Sequence, residues 1–244
     1  MRYNMNYPTI LGVNIDHVAT IRQARGTNYP DLLDAVKEIE KTRTEAITIH
    51  LREDRRHIQD VDVPAVKNYT SLRLNLEFAA IQEMVDIACQ VLPEDACLVP
   101  EKREELTTEG GLDVIGQFNR IKDVTSQLTE AGIRVSLFIE PDIEHIDKSK
   151  EIGAPVIELH TGAYAEQSTP EAQKRELDRV IKAAEYADSI GLHVNAGHGL
   201  HYTNTRPIAD IGVIRELNIG HAIVSRALFV GIKQATEEML ELIA

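Results

Sequence analysis

Short runs of β-branched and apolar residues recur about every 20 to 40 residues along the chain, and stretches of helical periodicity separate them. This alternation constrains the fold more than any other feature, because repeated strand–helix units hide their apolar faces by laying helices over a parallel sheet. Eight runs predict strands, at residues 9–16, 46–52, 73–77, 95–101, 134–140, 156–161, 193–198 and 216–221. Amphipathic stretches predict helices at 31–42, 81–91, 116–131, 143–152, 170–190 and 236–244. Eight such repeats in 244 residues fit a closed (β/α)8 TIM barrel. An open doubly wound sheet is the competing fold, weakened because no strand-to-helix turn carries a GxGxxG or P-loop. Gly132, Gly153 and Gly191 each stand just before a strand, where a helix would end on a left-handed glycine. With no low-complexity linker and no break in composition, a single domain over 1–244 is expected.

Composition narrows the partners. Lys and Arg number 26 against 39 Asp and Glu, a formal charge of −13. That balance argues against a nucleic-acid or anionic-membrane surface, since both are bound through excess Lys and Arg, but leaves room for small anions in a local basic pocket. Cys89 and Cys97 lie in apolar segments without metal-ligand spacing, so they read as buried thiols in a reducing compartment. The first eight residues carry no apolar stretch suited to a signal peptide, and no segment is long enough to span a bilayer. A cytoplasmic protein is expected.

In a (β/α)8 barrel the chemistry sits at the C-terminal ends of the strands. Here every strand ends in polar residues: Asn14 with Asp16 and His17, His50 with Arg52, Asn75 with Glu77, Glu101 with Lys102, then Glu140, Glu158 with His160, Asn195 with His198, and Asn218 with His221. Alternation places Asn14 with Asp16, His50 with Arg52, and Asn75 with Glu77 on common faces. One strand-end histidine is commonly a hydrogen-bonded structural group, but a full rim of such endings points to an active site. Arg52 to His57 is the densest cationic patch and lies on that rim; it suits an anion, or a solvated run of local ion pairs. The turns Ala196 to Gly199 and Asn218 to His221 resemble the glycine-rich phosphate cradles of the last two barrel strands. Two anion sites suggest two phosphorylated substrates. A competing reading makes His17, His50, His57, His160, His198 and His221 metal ligands with Asp16 or Glu77, as in a metal-dependent aldolase or isomerase. A third is a barrel that binds a phosphometabolite without turnover.

The stretches LGVNIDHVATIRQARGTNYPD (11–31), ITIHLREDRRHIQDVDV (47–63), LNLE (74–77), CLVPEKREELTTEGGLDV (97–114), VSLFIE (135–140), IELHTGAYA (157–165), VNAGHGLHYTN (194–204) and ELNIGHAIVSRALFVG (216–231) together resemble the pyridoxine 5'-phosphate synthase family. The resemblance covers nearly the whole chain from about residue 9. It implies a (β/α)8 barrel with additional helices, a homo-octamer, and condensation of 3-amino-2-oxopropyl phosphate with 1-deoxy-D-xylulose 5-phosphate to pyridoxine 5'-phosphate, inorganic phosphate and water. It implies no metal and no organic cofactor. Position by position it implies His50 and Glu77 as proton acceptors and His198 as proton donor. Asn14, Arg25, Gly199, Gly220 and His221 match aminoketone-phosphate positions, and Asp16, His17, Arg52, His57 and Thr107 match deoxyxylulose-phosphate positions. Residues 107–111 resemble a segment that closes over the substrates.

Overall fold

A computed structural model describes residues 9–102 and 110–244. Its eight strands are β1 (Ile10–Asn14), β2 (Ala46–His50), β3 (Arg73–Phe78), β4 (Asp95–Leu98), β5 (Arg134–Ile139), β6 (Val156–His160), β7 (His193–Gly197) and β8 (Ile214–Ile219). They pair in parallel in chain order, and β8 closes onto β1 with Ile10 opposite Glu216 and Val13 opposite Ile219. The chain is a (β/α)8 barrel.

The strand period explains its two faces. In β2, Ile47 and Ile49 are fully buried in the apolar layer under the helices, while Thr48, one step out of phase, meets polar groups of other strands. Leu74 and Leu76 against Asn75 and Glu77, and Leu217 and Ile219 against Glu216 and Asn218, repeat the pattern. Bulky aliphatic side chains ordinarily fill a barrel axis. Here a hydrogen-bonded network lies inside the barrel: Thr48 Oγ1 donates to Asn218 Oδ1 at 2.9 Å, and Asn218 Nδ2 donates to Glu158 Oε2 at 2.7 Å. Toward the strand N-termini Arg73 pairs with Asp95 and with Glu216, and Arg134 pairs with Asp95.

The helices among the described residues are α1 (Asp16–Gln23), α2 (Leu32–Ile39), α3 (Asp62–Tyr69), α4 (Gln82–Val91), α5 (Phe118–Glu130), α6 (Ile143–Ile152), α7 (Gly162–Ala165), α8 (Pro170–Ser189), α9 (Arg206–Ala209), α10 (His221–Val230) and α11 (Ile232–Ile243). Typical is α5, which buries Ile121, Val124, Thr125 and Leu128, one stripe at helical spacing. Gly132, Gly153 and Gly191 have φ of 84°, 96° and 81°, the left-handed turns expected of them.

Every strand except β3 ends earlier than its composition suggests. Asn14 Oδ1 accepts the Asp16 N–H at 2.9 Å, which turns the chain out of β1 and into α1, so Asn14 and Asp16 meet through a turn rather than along a strand. β2 likewise stops at His50, β4 at Leu98, β7 at Gly197 and β8 at Ile219, leaving Arg52, Glu101, His198 and His221 beyond the sheet. Five helices, α1, α3, α7, α9 and α10, have no counterpart in the sequence reading, and the last helix begins at Ile232. α10 is largely apolar and does not sort its residues onto two faces: beside His221, Ser225 and Arg226 it leaves Leu228 and Phe229 exposed, so periodicity does not mark it as a helix. Cys97 is buried as expected, but Cys89 on α4 is only half-buried. No helix among the described residues is long and apolar enough to cross a membrane.

Candidate active site

At the C-terminal mouth of the barrel a cavity of about 740 Å³ is lined by Asn14, Asp16, His17, His50, Arg52, Glu77, His198, Gly199, Gly220 and His221, ten of the thirteen residues assigned from the sequence. His57 stands just outside this lining, its ring 6.1 Å from that of His50 and its Nδ1 accepting the Ile58 N–H. Arg25 is exposed on the turn after α1 and does not line the cavity. Thr107 lies outside the described residues, with most of the proposed closing segment; its last two residues are described, and Gly110 reaches the cavity wall.

Three carboxyls in the lining, Glu77, Asp16 and Glu158, are held toward their neutral form. Burial, with the negative charges of Glu158 and Asp16 adding to it, pushes Glu77 well above the usual carboxylate range. Asp16 is raised to about 6 by burial, against the pull of the His50 charge and backbone N–H, Asn14 and Arg52. Beneath them, burial lifts Glu158 to about 8, although the Asn218 amide opposes this. His50 sits between these groups. Its backbone N–H donates to Asp16 Oδ1 at 2.8 Å, its Nδ1 lies 4.0 Å from Glu77 Oε2, and its Nε2 lies 2.9 Å from Glu101 Oε1.

The opposite wall carries His198, whose backbone lies in the left-handed region at φ 79°. For a non-glycine residue this costs on the order of 1–3 kcal/mol. Thr161 Oγ1 holds the turn by donating to the carbonyls of Gly197 and His198 at 2.7 and 2.6 Å. The His198 ring packs edge-on to His160 at 5.0 Å, and His160 Nδ1 lies 3.2 Å from Glu140 Oε1. Burial and the neighbouring His160 lower the His198 pKa. His17 is lowered by burial and by His221, whose ring is 4.9 Å away; His57 is lowered to about 4, chiefly by burial and then by His50 and Arg52.

Between these walls lies a backbone cradle. A Cβ on Gly220 would stand 2.8 Å from the Asn14 carbonyl oxygen, and one on Gly199 2.6 Å from Ala165 Cβ. Only glycine lets the two turns approach this closely. Gly220 caps α10 without a side-chain hydrogen bond, so the helix offers its first N–H groups and the positive end of its dipole where Gly220, His221 and Ala222 line the cavity.

Glu101, Glu140 and Glu158 belong to the rim pattern, yet their positions in the sequence give them no role within the site, and His160 has one only as a metal ligand in the competing reading. The signal was present in their strand-end positions, but not the partners they meet. Asp16, His50 and Glu77 also each bring one ligand-capable atom within 4.8 Å of the others, an arrangement a divalent cation could share.

The model of the family described as "Pyridoxal phosphate biosynthesis protein PdxJ" matches residues 11–244. A pyridoxine 5'-phosphate synthase of Thioalkalivibrio sulfidiphilus is 57% identical over 229 residues, 94% of this chain and 93% of that protein. The one from Legionella pneumophila is 55% identical over 238 residues, 98% of this chain and 96% of that protein. Among solved structures, a 3-hexulose-6-phosphate synthase superposes with a TM-score of 0.65 at 16% identity, covering 97% of this chain and 100% of the other. A thiamine phosphate pyrophosphorylase from Pyrococcus furiosus gives 0.61 at 14%, covering 99% and 98%. These two share the barrel alone. With a family model matching residues 11–244 and relatives 55% and 57% identical over 94% or more of its length, the chain belongs to the PdxJ family of pyridoxal phosphate biosynthesis proteins.

Proposed function

We propose that the protein is a pyridoxine 5'-phosphate synthase that condenses 3-amino-2-oxopropyl phosphate with 1-deoxy-D-xylulose 5-phosphate and closes the pyridine ring, releasing inorganic phosphate and water, without a cofactor. The observation that carries the reading is one cavity at the barrel mouth whose lining brings His50, Glu77 and His198 together with Gly199 and Gly220. Imine formation, dehydration and ring closure need a succession of proton transfers, which side chains with pKa values moved toward neutrality perform best. Glu77 ionised in this low-dielectric setting is a stronger base than a solvated glutamate, suited to removing a proton from carbon; His50 takes up protons beside it, and His198 returns one to a departing oxygen. The amine belongs to the substrate, so no lysine Schiff base is needed.

The two phosphates find different supports. Gly199, Gly220, His221 and the α10 N-terminus suit the aminoketone phosphate, with Asn14 alongside. Arg52, His17, Asp16 and His57 suit deoxyxylulose phosphate. Thr107 and Arg25 join these sets on the family resemblance. An octamer agrees with the exposure of Leu228 and Phe229 on α10, 68% and 83%, because such apolar groups are commonly covered by association. Cytoplasmic residence agrees with two free thiols.

The test is a chelator-treated assay with both substrates, following pyridoxine 5'-phosphate by absorbance together with phosphate release. Equal amounts of both products support the reading, and Glu77→Gln should then abolish turnover while leaving substrate binding largely intact. A second reading has one observation in its favour, the close approach of Asp16, His50 and Glu77. It calls for turnover that disappears with chelator and returns with a divalent metal.

A further inference from the structure

His50 is gripped from behind by a carboxylate to which the proposed chemistry gives no task. Glu101 follows β4, and its side chain is 3% exposed. Oε1 lies 2.9 Å from His50 Nε2, Oε2 accepts the Glu53 N–H at 2.9 Å, and Arg52 Nη2 stands 3.7 Å away. Burial favours the neutral acid, but the His50 hydrogen bond and charge, the Glu53 N–H and Arg52 outweigh it and hold Glu101 below the usual carboxylate range. An ionised carboxylate only accepts, so the ring nitrogen facing it carries the hydrogen. The other nitrogen, Nδ1, faces Glu77, which lines the cavity.

We propose that Glu101 is the positioning residue for His50: it fixes the tautomer with hydrogen on Nε2 and leaves the Nδ1 lone pair directed at the substrates. This rests on the reading of His50 as a proton acceptor. When Nδ1 takes a proton from the substrate, the Nε2 hydrogen stays in place and the ring gains one positive charge next to an ionised carboxylate. The proton leaves again from Nδ1, so the dyad returns unchanged. With Glu101 neutralised, either nitrogen can carry the hydrogen and the imidazolium loses its counter-charge.

The test uses Glu101→Gln, Glu101→Asp, His50→Gln and the double variant Glu101→Gln/His50→Gln, with kcat and KM for both substrates. Solid-state nitrogen-15 spectra of histidine-labelled protein read the tautomer, and the His50→Gln spectrum identifies the His50 signals. Glu101→Gln should lower kcat by about 100-fold with each KM changed by no more than about threefold. Its spectrum should lose the pure Nε2–H signature, and Glu101→Asp should recover part of kcat. The double variant should be no slower than His50→Gln alone, because Glu101 acts through that ring. If Glu101→Gln does not fold, Glu101→Asp carries the same comparison, with a kcat below that of the parent expected. Unchanged kcat and tautomer in the Glu101 variants, with His50→Gln inactive, would overturn the proposal and leave the role of His50 standing. Near-normal turnover of His50→Gln would overturn the role of His50 and the proposal with it. A lowered melting temperature and raised KM at unchanged kcat would reduce Glu101 to a structural clamp between the ends of β2 and β4, which also overturns it.

Discussion

Replacing Glu158 by glutamine should make the fold more stable, and by an amount that grows with pH. Glu158 is buried inside the barrel, where it accepts from Asn218 and titrates near 8 rather than at its ordinary 4.5. In the unfolded chain the group is ionised above its ordinary value, so folding at pH 7 must return a proton to it. At about 1.4 kcal/mol per pH unit, this costs about 3 kcal/mol at pH 7 and about 5 kcal/mol at pH 9, where the charge itself is buried. The sign follows from the raised pKa: the contribution of Glu158 to stability is most favourable below 4.5, where both states are protonated, falls as pH rises from 4.5 to 8, and is level above that. Glutamine is neutral throughout, and its carbonyl oxygen can still accept from Asn218, less about 1 kcal/mol for imperfect pairing of the new amide. Urea denaturation followed by circular dichroism at pH 5, 7 and 9 should therefore show Glu158→Gln about equal to the parent at pH 5, about 2 kcal/mol more stable at pH 7 and about 4 kcal/mol at pH 9. A difference independent of pH would refute the claim that this carboxyl folds in its neutral form.

Three further outcomes can be checked on the same cavity. Gly199→Ala, whose Cβ meets Ala165 at a φ of 76°, should weaken inorganic phosphate binding at least about tenfold and lower stability by about 1–3 kcal/mol; unchanged affinity in calorimetry counts against the glycine cradle. His198→Gly should lose turnover by about 100-fold or more, while its denaturation midpoint holds or rises because glycine accepts φ 79° without strain. His17, His57 and His198 all have lowered pKa values that favour the uncharged ring, so a phosphate dianion arriving at pH 6 should draw protons onto the site; calorimetry in two buffers of different ionisation enthalpy should register net uptake, and none would show that the phosphates lie away from these rings.

Much of the fold was legible because local patterns carry it. Eight short β-branched or apolar runs became the eight strands, and helix-ending glycines at 132, 153 and 191 stood at their expected turns. Ten rim residues named from strand ends and family motifs do meet in one cavity. The misses have physical causes. α10 does not sort polar from apolar residues onto two faces, so periodicity does not betray it, and β1 yields to α1 because a single asparagine side chain captures the Asp16 N–H.

Strand order, barrel closure and the crowding of polar groups on one rim follow from periodicity and chain length, which are properties of neighbouring residues. The chemical state of those groups follows from neighbours that are distant in the chain. Glu101 meets His50 across 51 positions, and Glu158 meets Asn218 across 60. Whether a carboxyl there is a base, a neutral acid or a support for a histidine depends on burial and on the charge within a few ångströms, since desolvation and Coulomb interaction act through space. Closing the sheet into a barrel brings those partners together, so their pKa values, tautomers and strained turns exist only once the chain has folded.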